Sequence, residues 1–249
     1  MTTKAQSLDL HKYTSTVCTA LVGKTAEELD RELDIILPKK PDVLEWRADH
    51  LETLADTDRI LTAAALIRNR AGKLPIIFTI RSVHEGGEII DIDEEAKVEL
   101  LQQIAASGNV SAVDYEWSNN KERVAGVQNA CRKHGIKCIL SYHNFQETPA
   151  REEMIRMLRE MAEQKPDYGK LAVMPQKNTD VLELLDVTEE ITGTLDMPII
   201  TMAMGPLGGI TRLAGWQYGS VLTFAVGSSS SAPGQIPIDL VRRVEQALK

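Results

Sequence analysis

The chain has few aromatic residues, few cysteines and no excess of positive charge. Aromatic side chains make up 4% of its 249 residues, so a core must be built from aliphatic side chains. There are 28 Lys and Arg against 36 Asp and Glu, a formal net charge of −8. A nucleic-acid-binding protein needs a basic face that displaces counterions from phosphates, so this balance argues against one.

Segments that would direct the chain into or across a membrane are also missing. No apolar run approaches the roughly 18 residues that a membrane helix needs, and residues 1–13 hold no apolar signal-peptide core. Three cysteines, Cys18, Cys131 and Cys138, form no CxxC pair and are expected to be reduced, buried thiols. We therefore expect a cytoplasmic protein with no membrane partner.

Short apolar runs alternate with amphipathic segments along the chain, which predicts parallel strands alternating with helices. Eight such units over the chain take about 31 residues each, the spacing of a (β/α)8 TIM barrel of ~250 residues. A doubly wound α/β sheet is the alternative, but the sequence contains no GxGxxG or GxxxxGK[ST] turn. We predict one α/β barrel domain over residues 1–249, with residues 1–13 as an N-terminal extension or a cap at the barrel bottom.

The predicted elements have recognisable ends. Thr25 and Glu28 fit a capping box at a helix start, and Gly72 and Gly135 stand where helices are expected to end. Predicted helices include 25–37, 93–106, 121–134, 150–164 and 239–248. Predicted strands cover 16–22, 42–47, 75–81, 110–117, 137–143, 169–174, 198–204 and 220–226.

Polar residues fall on the faces of these strands that should point into the barrel. Side chains of a strand alternate between two faces, and in a barrel one face points inward. In the second strand Leu44 and Trp46 should meet helices, which leaves Glu45 and Arg47 inside. The same alternation places five further candidates inside: Arg81, His143, Lys170, Met202 and Met204.

Each of these residues has an ordinary structural explanation when taken alone. Glu45 and Arg47 could form a buried ion pair, His143 could be a hydrogen-bonded rim histidine, and Lys170 could extend to solvent. Together they place more charge inside four strands than packing requires, because unpaired charge in an apolar interior is costly. We therefore predict an anion-binding site at the C-terminal ends of the strands.

Lys170 and His143 are the candidates for chemistry. Burial and the neighbouring cations Arg47 and Arg81 are expected to favour the uncharged amine of Lys170, a nucleophile toward carbonyl groups. His143 is then the natural acid–base residue. No HxH or HExxH spacing occurs among the histidines, so no metal site is predicted.

Two loops after the last strands are further candidates for ligand binding. Residues 205–212 are rich in glycine and end in Arg212, whose guanidinium suits a carboxylate or phosphate. Residues 227–235 contain four consecutive serines after the eighth strand and form a candidate lid. A plain turn and a solvated connector are the respective alternatives.

Six motifs, in order along residues 45–235, resemble those of the type I 3-dehydroquinate dehydratase family, lyases that act through a lysine Schiff base. Any one of these motifs is weak alone, and their order makes the resemblance specific. They are Glu45-Trp46-Arg47-Ala48-Asp49; Thr79-Ile80-Arg81-Ser82 with Glu85-Gly86-Gly87; Ser141-Tyr142-His143-Asn144-Phe145; Lys170-Leu171-Ala172-Val173-Met174-Pro175; Met202-Ala203-Met204-Gly205 with Arg212; and Ala232-Pro233-Gly234-Gln235.

The resemblance implies a function and a set of roles. Lys170 would form an imine with the C3 ketone of 3-dehydroquinate, His143 would move the C2 proton, and Glu85 would orient His143. It further implies no cofactor and no metal, a homodimer, and a place in the shikimate pathway of aromatic amino acid biosynthesis. The substrate-binding residues that it implies are Glu45, Arg47, Arg81, Met202, Met204, Arg212, Phe224, Ser231 and Gln235.

One departure from the family pattern and two other functions stay open. Many family members carry a serine where this chain has Ala20, so one hydrogen bond to the substrate is in doubt. A Schiff-base aldolase would use the same lysine on the same barrel, although its usual substrates are sugar phosphates. A non-enzymatic barrel that binds an acidic metabolite is the other alternative.

Overall fold

Strands and helices alternate through the computed structural model, which describes residues 5–248. The strands are β1 (Val17–Leu21), β2 (Val43–Arg47), β3 (Ile76–Thr79), β4 (Ala112–Glu116), β5 (Lys137–His143), β6 (Tyr168–Val173), β7 (Ile199–Ala203), β8 (Thr223–Val226) and β9 (Ile236–Pro237). The helices are α1 (Ala26–Ile36), α2 (Thr57–Ala71), α3 (Glu94–Ala106), α4 (Lys121–His134), α5 (Arg151–Glu163), α6 (Asn178–Thr194), α7 (Gly209–Ala214) and α8 (Ile238–Leu248).

The strands form one curled parallel sheet, in the order β7-β6-β5-β4-β3-β2-β1-β8-β9. All eight predicted strands are present, and the predicted α/β barrel is confirmed. The two-residue strand β9 was not predicted; it pairs with β8 where the chain returns after the serine-rich loop. This order places the C-terminal ends of all the strands at one end of the barrel.

A side chain joins the two ends of the curled sheet. Among residues 5–248, β7 and β8 share no ladder, but the Val221 amide donates to the Ile199 carbonyl at 2.9 Å. The Ser220 hydroxyl accepts from the Thr201 amide at 3.0 Å and donates to the Thr201 carbonyl at 3.1 Å. Ser220 therefore satisfies main-chain groups that a ladder would otherwise pair.

Capping residues set the ends of the helices much as predicted. The Thr25 hydroxyl accepts a hydrogen bond from the Glu28 amide at 3.2 Å. The Glu28 carboxylate accepts a hydrogen bond from the Lys24 amide, whereas a capping box would have it accept from the Thr25 amide. Only half of the predicted capping box therefore forms. Helices α2 and α4 end immediately before Gly72 and Gly135, whose φ angles are positive.

The lower end of the barrel, at the N-terminal ends of the strands, has an apolar interior. Leu8 and Leu10 are buried in the same cluster as inward residues such as Val43. The Tyr168 hydroxyl accepts from the Leu10 amide at 3.1 Å and donates to the Leu8 carbonyl at 2.8 Å. The described part of the N-terminal segment thus packs against the barrel interior; residues 1–4 of the predicted extension lie outside the described residues.

Two further expectations can be compared with the structure. Cys18, Cys131 and Cys138 are buried free thiols, as predicted. In the described part of the chain, no helix combines the length and the apolar character needed to cross a bilayer.

Candidate active site

A pocket opens at the C-terminal ends of the strands, and its empty space of about 440 Å³ includes volume that is open to solvent. All of the residues predicted for the site contribute to its lining. They are Glu45, Arg47, Arg81, Glu85, His143, Lys170, Met202, Met204, Arg212, Phe224, Ser231 and Gln235. Residues far apart in the sequence meet here because they come from the ends of several strands and from the segments that follow those strands.

Lys170 lies on the inner face of β6 and is only 4% exposed. Its Nζ atom is 3.1 Å from Asp114 Oδ2 and 3.6 Å from Glu45 Oε1, and it lies 4.5 Å from the centre of the Phe224 ring. The sequence led us to expect cations beside the amine. Two carboxylates and an aromatic face come closest instead.

Asp114 is a central residue that the sequence analysis missed. It is buried on β4, where its Oδ1 accepts from the Arg81 guanidinium at 2.7 Å and from the Ser141 hydroxyl at 2.6 Å. Burial alone would raise the pKa of Asp114, but Arg81 and Lys170 outweigh it and hold that pKa well below its usual range. The alternation of residues 112–116 would have revealed Asp114 had it been applied to the fourth strand.

Arg81 follows β3 and is surrounded by acidic groups. Besides Asp114, its guanidinium reaches Glu116 at 3.4 Å and Glu85 at 3.8 Å. It also donates to Ser141 at 2.8 Å. Burial would lower the pKa of Arg81, but the three carboxylates raise it above its ordinary value, so the group is always charged.

Arg47, the last residue of β2, forms an ion pair with Asp49, two residues further along the chain. Its guanidinium donates to the Asp49 carboxylate through two hydrogen bonds, of 2.8 and 2.7 Å. It also donates to the main-chain oxygens of Gly86 and Ser231, at 3.4 and 3.3 Å. Since Asp49 neutralises this charge, Arg47 contributes hydrogen bonds to the pocket rather than a free cation.

His143 and Glu85 form a hydrogen-bonded pair. Glu85 Oε2 lies 2.9 Å from His143 Nδ1 and accepts the His143 main-chain amide at 3.0 Å. Burial lowers the pKa of His143 well below its usual value, and Arg81 and Lys170 act in the same direction. Burial also raises the pKa of Glu85 to about 8. His143 is therefore neutral near neutral pH. Once Glu85 is ionised, at pH values above about 8, its carboxylate can accept a hydrogen bond from the Nδ1–H group of His143, which leaves Nε2 free as a base.

Arg212 is a buried cation with no acidic partner among the described residues. It is 1% exposed on α7, and its guanidinium donates to the carbonyls of Pro233 and Phe224, at 3.0 and 3.5 Å. Its Nε atom is buried and has no hydrogen-bond partner within residues 5–248. Burial lowers the pKa of Arg212 to about 10. Because every other pocket cation is paired with a carboxylate, this is the place where an anion would be stabilised most.

The serine-rich segment is folded onto the pocket by the two arginines that reach it, Arg47 and Arg212. Within the segment the Ser231 amide donates to Gln235 Oε1 and the Gln235 amide group donates to the Ser231 hydroxyl, each at 3.0 Å. Gly234 has a φ of 74°, and a Cβ there would lie 2.2 Å from the Gly205 carbonyl oxygen. This close approach joins the two loops after β7 and β8.

The remaining wall is apolar, and it includes residues not chosen from the sequence. Phe145 and Ala172 line the pocket beside Met202, Met204 and Phe224. Ala20 is buried next to Glu45 in the β1–β2 register but does not line the pocket. Within residues 5–248 no group of three or more His, Cys, Asp or Glu side chains could hold a metal ion.

Comparisons with known proteins point to one family. The family model described as type I 3-dehydroquinase matches residues 17–249. The 3-dehydroquinate dehydratase of Albidiferax ferrireducens is 45% identical over 90% of this chain and 84% of its own, and that of Geobacillus thermodenitrificans is 46% identical over 92% and 88%. The crystal structure of the Geobacillus kaustophilus 3-dehydroquinate dehydratase superposes with a TM-score of 0.93 at 42% identity, covering 100% of this chain and 98% of that one.

Proposed function

The chain belongs to the type I 3-dehydroquinase family of hydro-lyases, and on that premise we propose that it dehydrates 3-dehydroquinate to 3-dehydroshikimate through an imine on Lys170. One observation supports this proposal above the others. A single pocket holds a buried lysine, a histidine–carboxyl pair and an arginine without an acidic partner among the described residues. Dehydration of a keto acid through an imine requires an amine that forms the imine, a group that transfers protons and a cation that binds the carboxylate, and the three groups match these tasks in that order.

The first step uses Lys170 and one of its carboxylates. Glu45 Oε1, which lies 3.6 Å from the Lys170 Nζ atom and accepts from the Thr79 hydroxyl at 3.0 Å, would take a proton from the ammonium group and return it to the departing oxygen. The free amine attacks the C3 carbonyl, and loss of the carbonyl oxygen as water leaves an iminium. The iminium withdraws electrons from C2 and so acidifies its protons.

The second step uses His143. Its Nε2 atom takes a C2 proton, while Glu85 accepts the hydrogen bond from Nδ1 and stabilises the imidazolium. The resulting enamine expels the C1 hydroxyl, which leaves as water with the proton from His143. Hydrolysis of the imine then returns the amine of Lys170 and releases the conjugated enone, so atoms and protons balance over the cycle.

Arg212 is proposed to bind the carboxylate that the substrate carries on C1. The residues with paired charges, Arg47, Arg81 and Glu45, would hold the ring hydroxyls through hydrogen bonds. The apolar wall, including Met202, would pack on the ring. The relative from Clostridium difficile, a type I 3-dehydroquinate dehydratase with a TM-score of 0.93 and 35% identity over 100% of this chain and 98% of its own, was crystallised with covalent modified comenic acid, which is compatible with a covalent site in this fold.

Three wider proposals accompany this function. Residues 228–235 would act as a lid, since Ser231 and Gln235 line the pocket and the segment contacts both rim arginines. The enzyme would be a homodimer, which light scattering on the purified protein would test. It would act in the cytoplasm, in the shikimate pathway, and its binding partner would be an acidic small-molecule substrate.

The test combines turnover with chemical trapping. Purified enzyme should convert 3-dehydroquinate, detected by the ultraviolet absorbance of the conjugated enone, and should not cleave sugar phosphates. Borohydride added during turnover should leave a reduced adduct on the peptide that contains Lys170. Turnover of sugar phosphates alone would favour an aldolase, whereas no turnover of any substrate would favour a binding protein. An adduct on a different lysine would defeat the assignment of Lys170.

A further inference from the structure

Lys97 is a buried lysine that lies outside the pocket. It is 1% exposed on α3, and its Nζ atom is 3.2 Å from Glu116 Oε2 and 3.8 Å from Glu94 Oε1. The Tyr115 ring centre is 5.6 Å away. The Glu94 carboxylate also accepts a hydrogen bond from the Tyr115 hydroxyl at 2.7 Å. Glu116 is therefore the closer acidic partner of Lys97.

Glu116 connects Lys97 to the segment that carries Glu85. Its other oxygen, Oε1, accepts the Ser82 main-chain amide at 2.7 Å and lies 3.4 Å from the Arg81 guanidinium. Arg81 in turn is 3.8 Å from Glu85, which is hydrogen bonded to His143. A continuous set of contacts thus runs from α3 to the imidazole.

The buried charges around Arg81 need more than one cation. Arg81 faces three carboxylates, those of Asp114, Glu116 and Glu85. Asp114 also pairs with Lys170. Glu116 also pairs with Lys97, through the carboxylate oxygen that does not contact Arg81. Without Lys97, Glu116 would compete for Arg81 with the carboxyl groups of the pocket, and the negative potential at Glu85 would increase.

We propose that Lys97 is a positioning residue: by pairing with Glu116 it keeps Arg81 directed at Asp114, Ser141 and Glu85, and so controls the ionisation of the Glu85–His143 pair. A further charged group near Lys97 is Glu94 on the same helix, whereas Arg123 on α4 pairs with the exposed Glu95. The activity readout of this proposal rests on the proposed function; the structural readout does not.

Paired substitutions separate the effect of charge from the effect of packing. Lys97→Met should raise the pH at which the Glu85–His143 pair titrates, because uncompensated negative charge favours the protonated forms. Glu116→Gln should lower that pH, because it removes negative charge near Arg81 and Glu85. The expected shifts are roughly 0.5–1 pH unit in opposite directions. The double variant should lie between the two, and Lys97→Arg should restore the wild-type midpoint.

Two measurements report this midpoint. The first is the NMR titration of the His143 ring, assigned by its loss in His143→Asn. The second is the acidic limb of the pH profile of kcat/KM, expected near the pKa of Glu85, about 8. If the wild type does not turn over 3-dehydroquinate, the proposed function fails, but the NMR titration still decides on Lys97.

Arg68→Met is the matched control. Arg68 is a buried cation on α2 that donates to the carbonyls of Asn109, Gly72 and Leu74. Its loss should lower stability and leave the His143 midpoint unchanged. Midpoints in Lys97→Met and Glu116→Gln that match the wild type, or that move in the same direction, would overturn the proposal. If Lys97→Met does not fold, the titration midpoint of Glu116→Gln is compared with those of Lys97→Arg and the wild type; it should be lower than both.

Discussion

Two neighbouring sets of inward-facing side chains in the same barrel have opposite chemistry. The odd-numbered strands contribute an apolar layer, Cys18, Ile77, Ile139 and Ile200. The even-numbered strands contribute a charged layer, Glu45, Asp114, Lys170 and Phe224, in which the Lys170 ammonium contacts the other three side chains.

The difference shows how a barrel interior accommodates charge. Barrel cores are filled by layers of four side chains from alternate strands. The apolar layer stabilises the fold by burial alone, whereas each charge of the other layer must have a partner within hydrogen-bond reach. Stability should therefore depend mostly on the apolar layer and chemistry on the charged one. The following substitutions test this division.

Lys170→Met should have the largest effect. Turnover should fall by about 10⁴-fold or more, because the nucleophile is lost. Stability should change by no more than about 1 kcal/mol, because Asp114 keeps Arg81 and Ser141 as partners and Met fills the lysine stem. Enone absorbance and urea unfolding would measure both. Lys137→Met, at a half-buried lysine paired with Asp167, should retain activity.

His143→Ala should reduce turnover by roughly 10²–10⁴-fold, the usual contribution of a positioned acid–base group. The imine on Lys170 should still form and be trapped by borohydride, since His143 is proposed to act after that step. His84→Ala is the control, because His84 is exposed and should be dispensable. Near-normal turnover in His143→Ala would mean that the base lies elsewhere, with His84 the next candidate.

Ile139→Ala tests the apolar layer. Truncation of this buried side chain should lower the free energy of unfolding by about 2–4 kcal/mol, because it leaves a cavity. The kcat/KM of the folded enzyme should change by less than about 10-fold, since the charged layer keeps its partners. A large loss of kcat/KM with unchanged stability would contradict the division between the layers.

Arg212→Met should raise KM by about 100-fold, because a charge-assisted contact to a carboxylate contributes about 2–3 kcal/mol. A KM in Arg212→Met that matches the wild-type value would exclude Arg212 as the carboxylate-binding residue.

Gln235→Ala should have the smallest effect, a several-fold rise in KM with little change in kcat at saturation. The variant loses the two hydrogen bonds to Ser231 and hence about 1 kcal/mol of loop order. Limited proteolysis of residues 228–235 should be faster in the variant and slower when the adduct on Lys170 is trapped. Equal cleavage with and without the confirmed adduct would show that the segment is only a connector.

The sequence was sufficient to predict the barrel and most of the residues that line its pocket. Strand alternation identified seven inward residues, among them Glu45 and Lys170, and the resemblance to one family added others, such as Glu85 and Phe224. The positions of helix ends such as Gly72 followed from local backbone preferences. These features depend on neighbours a few residues apart, which a linear pattern records.

Only the tertiary structure decided which charges meet. That Asp114 and Glu45 flank Lys170, that Arg212 lacks an acidic partner among the described residues, and that Lys97 on a helix reaches the site through Glu116 all depend on packing between distant strands and helices. The sequence by itself determined the barrel, its inward faces and its family. Charge pairing required the structure, because the energy of a buried charge depends on partners within about 4 Å, whatever their separation along the chain.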